Sequence, residues 1–405
     1  MCDPWPEHLD TAVVVGSRIV TNRFLADRLQ GFGTTIFAQM SALAVETNSV
    51  NLGQGFPDTD GPAEVAEAAR QAILDGHNQY PPLPGIAPLR EAVSEHRARF
   101  RGQEFDPDGE ILITAGATEA LAATMLAMTG PGDEVITFEP YYDSYAAGIA
   151  LSGATRRVVT LRAPDWSFDP DELRAAFTPA TKVMLLNTPH NPTGKVFSRE
   201  ELALIAELCC EHDVVAVTDE VYEHLVFDGE HIPLATLPGM AERTLSVSSA
   251  GKIFSFTGWK IGWACGPADM VAAVRTAKQF LTFVSGAPLQ HAVAVGLRLG
   301  DDFYDGYTAE MKAKRDRLCT GLADAGFDVL APAGTYFASC DIGSIGETDG
   351  IEFCLGLPER AGVVAVPTMV FYDDKAAGAP IVRFAFCKKD EVLDEAVTRL
   401  KAGLA

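Results

Sequence analysis

Between residues 110 and 266 the chain alternates short, β-branched apolar runs with longer helical stretches, and this rhythm restricts the fold more than any other feature. "ILIT" (111–114), "EVITF" (134–138), "KVMLLN" (182–187), "DVVAVTDE" (213–220), "TLSVSS" (244–249) and "IGWACG" (261–266) read as strands. "TEALAATMLAM" and "ELALIAELCCEH" read as helices, the second opened by Ser198 and Glu201 in an S-x-x-E capping box. Apolar runs separated by helices predict an α/β fold with a mostly parallel sheet and crossover helices. Beyond residue 300 the texture changes: "MKAKRDRLCTGLADAG" reads as an amphipathic helix, and "TYFASCDI" and "IVRFAFCK" as strands of a smaller α+β unit. The predicted layout is an N-terminal arm and part of the small unit over 1–50, a large domain over 51–295 and a small domain over 296–405.

Composition narrows the partners. A net charge of -23 argues against a nucleic-acid backbone, which selects clustered Lys and Arg. No run reaches the ~20 apolar residues of a membrane span, and "MCDPWPEHLD" lacks the basic-then-apolar pattern of a secretory signal. A cytoplasmic protein acting on a small molecule is the expectation. Cysteines at 2, 209, 210, 265, 319, 340, 354 and 387 form no C-x-x-C pair, so neither a structural metal nor a disulfide framework is expected.

Candidate chemistry gathers at strand ends, where open α/β sheets bind ligands. Two Gly-Lys pairs invite a phosphate-loop reading, but the required flanking positions hold Ser246 and Ile253 in one case and Pro189 and Val196 in the other. In "SSAGK", Lys252 follows a strand among small residues; a lysine attacking a carbonyl must be partly neutral, and desolvation or a neighbouring cation such as Lys260 favours that state. Taken alone, the sequence favours the plainer reading of Lys252 as a solvated loop lysine. Asp219 ends an apolar run, three residues before Tyr222, as a buried anion in need of a cationic partner or as a helix N-cap. Asn191 lies in the Pro-Gly loop "NTPHNPTGK". Gly116, Ala117 and Thr118 lie at a strand-to-helix turn whose free N–H groups suit a phosphate monoester. Arg383, between Val382 and Phe384, requires a planar acid, either a substrate carboxylate or a structural Asp or Glu.

"NTPHNPTGK", "TDEVYEHLVFDG" and "SSAGKIFSFTGWKIGWACGP" resemble the signature blocks of the class I/II aminotransferases, fold type I of the pyridoxal-phosphate enzymes. The likeness runs from about Gly33 to the C-terminus through "NLGQGFPD", "NQYPP", "GDEVITFEPYYDSY" and "VRFAFCKKDEVLDEA". It is greatest to a branch with kynurenine or glutamine aminotransferases and actinobacterial N-succinyldiaminopimelate aminotransferases. The resemblance implies a seven-stranded large-domain sheet and pyridoxal 5'-phosphate as cofactor. It implies that Lys252 is the covalent and proton-transferring amine and that Asp219 faces the pyridine nitrogen. Asn191 and Tyr222 match the residues on the phenolic oxygen, and Tyr141 the aromatic stacked on the ring. Gly116, Ala117, Thr118, Ser249 and Lys260 match the phosphate cradle, which Tyr80 completes from a second subunit of a homodimer. Arg383 becomes the carboxylate anchor, helped by Gly55 and Asn191.

The same resemblance puts Phe37 and the partner's Phe283 beside the substrate side chain, where "PTMVFYDD" (367–374) departs from the family's small-residue pattern. The implied reaction moves an amino group from an L-amino acid, glutamate by expectation, to a 2-oxo acid such as N-succinyl-2-amino-6-oxopimelate in lysine biosynthesis. The alternative is a kynurenine, glutamine or methionine aminotransferase with cysteine-conjugate β-elimination as a side activity. A cofactor-sensing regulator would need a DNA-binding domain, for which residues 1–32 are too few.

Overall fold

The computed structural model describes residues 23–404; Cys2 and the first part of the expected arm lie outside them. Thirteen strands follow in chain order: β1 (Val50–Asn51), β2 (Ile111–Thr114), β3 (Glu134–Glu139), β4 (Thr155–Thr160), β5 (Thr181–Asn187), β6 (Val215–Asp219), β7 (Thr244–Ser249), β8 (Gly262–Cys265), β9 (Asp328–Leu330), β10 (Phe337–Asp341), β11 (Val363–Val364), β12 (Val366–Pro367) and β13 (Ile381–Ala385). Seven of them form one sheet in the order β2-β8-β7-β6-β5-β3-β4. It is parallel except for β8, which runs antiparallel to both β2 and β7. The sequence reading missed β4: "TRRVVT" begins with alternating exposed and half-buried residues, as an edge strand does, and lacks a continuous apolar run.

The capping box forms as expected, Ser198 Oγ accepting from Glu201 N while the Glu201 carboxylate accepts from Ser198 N, and it opens the helix Arg199–Glu211. Beyond residue 300 a 24-residue helix, Asp301–Asp324, leads into the antiparallel sheet β12-β13-β10-β9. Strand β1 pairs in parallel with β11, Val50 opposite Val363. Met40, Ala44 and Leu52 share one core with Phe337, Phe384 and Leu393, so the chain from 36 to 52 packs with the C-terminal unit. Five of the seven described cysteines are buried and all seven are free.

Behind β6 lies a buried ionic network. Arg97 donates to Glu220 (2.8 Å) and Glu223 (3.0 Å), and Arg101 donates to Glu223 (2.8 Å). Burial opposes ionisation of both carboxyls, yet the guanidiniums hold them below their usual range. Two groups with metal-binding spacing arise here, His96–Glu223–His224 and Glu220–Glu223–His231. Both carboxylates are already matched by arginines, which makes the cluster a balanced structural unit.

Candidate active site

The carboxyl ends of β5, β6 and β7 and the start of β8 meet at one edge of the large sheet, where the small unit closes over them. A cavity of about 330 Å³ opens there, within the size range of small-molecule sites. Of the predicted residues, Phe37, Gly55, Gly116, Ala117, Thr118, Asn191, Asp219, Tyr222, Ser249, Lys252, Lys260 and Arg383 all line it.

One wall suits an anion. The helix Gly116–Met128 points its N-terminus into the cavity, and Lys260 Nζ lies 3.3 Å from Thr118 Oγ1. Gly116 has φ +75, and a Cβ there would stand 3.2 Å from Lys260 Nζ. A Cβ on Gly262, the first residue of β8, would fall 2.6 Å from the Gly116 carbonyl carbon. Two glycines therefore let strand, turn and lysine converge.

The floor holds Asp219, 4 % exposed at the end of β6. Tyr145 Oη donates to Oδ2 (2.7 Å) and Val221 N to Oδ1 (3.3 Å), but no Lys, Arg or His among the described residues pairs with it. Burial pushes this carboxyl up to about 6. Asn187 at the end of β5 donates to the Asp219 carbonyl (2.9 Å) and accepts from Asn191 N (2.7 Å), which fixes the loop that bears Asn191.

Lys252 sits on the short helix Ala250–Ile253 directly after β7, and its amine faces the cavity. Its Nζ donates to Tyr336 Oη (2.6 Å) and lies 5.5 Å from the Tyr222 ring centroid. Burial lowers the amine to about 8, with Arg383 and Lys260 among the charges acting in the same direction.

Arg383 is 1 % exposed in β13 and has no ion pair among the described residues. Its two terminal nitrogens donate to Asn191 Oδ1 (2.9 Å) and Gly53 O (3.0 Å), and its Nε is buried without a partner. The guanidinium lies 3.9 Å from the Phe337 ring centroid and 5.3 Å from that of Phe37. Burial lowers it to about 10. These contacts answer the structural ion-pair reading of Arg383: the acid it needs is not supplied by the fold.

Three predicted residues lie elsewhere. Tyr141, expected as the aromatic stacked on the cofactor ring, is buried away from the cavity: its Oη donates to Asp373 Oδ1 (2.6 Å) and its ring lies under Arg156. The wall is formed by Tyr142 and Tyr145, at the N-cap and third residue of the helix Asp143–Ser152. That i, i+3 spacing in "YYDSY" was the available signal, because such residues share a helix face. Tyr80 and Phe283 stand off the cavity of their own chain, 82 % and 44 % exposed, with rings in edge contact at 5.6 Å. Sequence reasoning also missed Gln54, Thr257, Phe337 and Tyr336; for Tyr336 the signal was a tyrosine entering a buried strand, whose hydroxyl needs a partner.

The geometry brings together a buried amine, an unpaired carboxylate, an anion cradle and an unmatched guanidinium. Comparisons with known proteins agree on what such a set belongs to. The family model "Aminotransferase class I and II" matches residues 47–400. A probable N-succinyldiaminopimelate aminotransferase of Mycobacterium tuberculosis is 51% identical over 385 residues, spanning 92% of this chain and 97% of that one. A solved structure of the N-succinyldiaminopimelate aminotransferase from that organism superposes with a TM-score of 0.92, covering 94% of this chain and 100% of the other. The methionine aminotransferase of Escherichia coli is 40% identical over 375 residues, 92% and 97% of the two chains. The chain belongs to the class I and II aminotransferases, which are pyridoxal-phosphate-dependent enzymes.

Proposed function

We propose that this aminotransferase carries amino groups between an L-amino acid, with glutamate as donor, and N-succinyl-2-amino-6-oxopimelate. The buried Arg383, with an unpartnered Nε and no ion pair among the described residues, carries the reading of the site, because it shares a cavity with Lys252 and Asp219 and calls for an α-carboxylate. Support for the acceptor is the 51% identity, at nearly full length, to a protein bearing that activity in its name.

The donor set fits pyridoxal 5'-phosphate: among the described residues Asp219 has no cationic partner and the Gly116 turn with Lys260 has no acidic one, and Lys252 offers an amine that burial lowers to about 8. Ala117, Thr118, Ser249 and Lys260 would hold its phosphate, Asn191 and Tyr222 its phenolic oxygen, and Tyr142 its ring face. When bound, the group supplies an aldehyde for a covalent link and a ring that withdraws electrons from the substrate Cα. Asp219 would keep the ring nitrogen protonated by offering a buried carboxylate that water does not screen. Arg383 fixes the carboxylate in a bidentate grip and so orients the Cα–H bond toward Lys252. Lys252, whose amine faces the cavity, would take that proton as general base and, once protonated, give it back as general acid. An amine poised near pH 8 serves both directions.

The shared active site of a homodimer is part of this reading. Tyr80, Phe280, Leu281 and Phe283 form an exposed apolar group, and neither Tyr80 nor Phe283 lines its own cavity. A second copy seated there would bring Tyr80 to the phosphate and Phe283 to the substrate side chain. A cytoplasmic location accords with the lack, among the described residues, of a helix long and apolar enough to cross a membrane.

A second reading has its own support. The cavity lining includes Phe37, Phe56 and Phe337, the first and last against Arg383, which favours an apolar side chain such as that of methionine or kynurenine. Cysteine-conjugate β-elimination would use the same Cα proton transfer. The deciding experiment mixes the cofactor-loaded enzyme with succinyl-diaminopimelate, glutamate, kynurenine and methionine separately and times the cofactor's absorption change. Fast conversion by the first two supports the proposal; fast conversion by methionine or kynurenine alone replaces it.

A further inference from the structure

Tyr336 enters none of the steps above, yet it makes two short hydrogen bonds beside the cavity, one of them to Lys252. Its ring is fully buried immediately before β10, edge-on to Tyr222 (5.1 Å) and Phe337 (4.8 Å). Lys252 Nζ donates to its oxygen at 2.6 Å, and its own hydroxyl donates to the Gly55 carbonyl at 2.5 Å. Burial holds the phenol well above its usual range, so the proton stays on it, committed to Gly55. Toward Lys252 the oxygen therefore presents a lone pair, which accepts more strongly from an ammonium than from an amine.

Gly55 belongs to a segment tied at a second point. Two residues earlier the Gly53 carbonyl accepts from Arg383, and Gly55 itself packs where any Cβ would overlap the Phe337 ring. The Arg383 guanidinium in turn lies over the Phe337 ring, 3.9 Å from its centroid. Strand β13 closes the circuit: Ala385 N donates to Leu52 O (2.7 Å) and Phe386 N to Tyr336 O (2.9 Å). The carboxylate anchor and the lysine are thus joined through Arg383, Gly53, Gly55 and Tyr336, all hydrogen-bonded and packed without slack.

Resting on the proposed roles of Lys252 and Arg383, we propose that Tyr336 is a positioning residue that holds the free amine of Lys252 and couples it to carboxylate binding at Arg383. A carboxylate drawing on Arg383 loosens its bond to Gly53, the segment 53–55 shifts, and Tyr336 relays that shift to the amine. The base would then be aligned only when the anchor is filled, which spares the enzyme idle proton exchange.

The test uses the holoenzyme with its cofactor in the amine form, where Lys252 is not covalently linked. The rate at which an amine-reactive reagent labels Lys252, followed by peptide mass, is measured against pH with and without 3-phenylpropionate, a carboxylate that has no amino or keto group. In the unmodified protein the carboxylate should shift the labelling midpoint. In Tyr336→Phe, which keeps the ring and loses the oxygen, the midpoint should fall by about one pH unit and the carboxylate effect should vanish. Cofactor content should be unchanged. An unaltered midpoint, or an undiminished carboxylate effect, overturns the proposal. Failure of the underlying roles is separately visible: Lys252→Ala would then retain a borohydride-reducible cofactor link, or Arg383→Ala would bind 3-phenylpropionate normally.

Discussion

Asp219 and Glu220 are consecutive carboxylates at the end of one strand, both buried, and their surroundings are opposite. Glu220 turns behind the sheet into a network where Arg97 meets it and Glu223, and where Thr218 and Ser246 hydroxyls donate to its other oxygen. Asp219 turns into the cavity, receives one phenol and one amide, and finds no cation among the described residues. Burial therefore raises Asp219, whereas Arg97 overrides burial and lowers Glu220. A fold that can complete one buried charge leaves its neighbour incomplete, and the incomplete groups, Asp219, Lys252 and Arg383, are those that line the cavity.

Lys252→Ala breaks the incomplete side most severely. The borohydride-reducible cofactor link should disappear and turnover should fall by roughly 10²–10⁴-fold or more. Retention of both would remove Lys252 from the chemistry. Next come the two carboxylates themselves. Glu220→Gln leaves Arg97 short of a buried partner and should lose about 3–5 kcal/mol of stability in urea. Asp219→Asn should cripple activity yet stabilise the cofactor-free chain near pH 7 by ~1–3 kcal/mol. Its sign follows from the raised carboxyl. Between 3.8 and about 6 the folded state binds the proton more tightly, so Asp219 disfavours folding increasingly as pH rises through that window. Glu220 and Glu223, held low, stabilise above 4.5 and lose that contribution as pH falls below it. The Asp219→Asn gain should accordingly vanish near pH 4. A gain that persisted there would show that its charge is not the cause.

Arg383→Ala removes the anchor, and carboxylate binding should weaken by about 2–5 kcal/mol with a smaller change in kcat. If binding were unchanged, Arg383 would be a structural residue despite its unpaired Nε.

Periodicity alone outlined the large sheet, because its central strands are buried on both faces and read as unbroken apolar runs. Strand β4 escaped because half of it faces solvent. Lys252 and Asp219 were legible as oddities, charged residues abutting apolar runs, but their meeting depends on neighbouring strands that lie far apart in the chain. Arg383 was visible as an arginine among apolar neighbours that needs an acid; only its surroundings, Phe337, Gly53 and Asn191, show that no acid among the described residues pairs with it. The ionic network behind β6 left no comparable signal, since Arg97 and Glu220 are 123 positions apart.

The two adjacent tyrosines sharpen the comparison on a smaller scale, since Tyr141 is completed by the protein and Tyr142 is not. Tyr141 is tied through Asp373 to Arg156 and the small unit's 368–371 turn, its amide donating to Phe371 O at 2.9 Å. Tyr141→Phe should therefore lower stability by about 0.5–1.5 kcal/mol, the net worth of one hydrogen bond, with cofactor affinity unaltered. Tyr142 lines the cavity with its ring, so Tyr142→Leu should weaken cofactor retention by about 0.5–1.5 kcal/mol, the range for aromatic pairing, with little effect on unfolding of the cofactor-free chain. Dialysis against a cofactor-free buffer followed by absorbance separates the two, and a larger cofactor loss from the Tyr141 variant would reverse their assignment. The distinction is set by one step along the chain: Tyr142 is the N-cap, still in extended backbone, where successive side chains point to opposite sides, so only one of the pair faces the cavity.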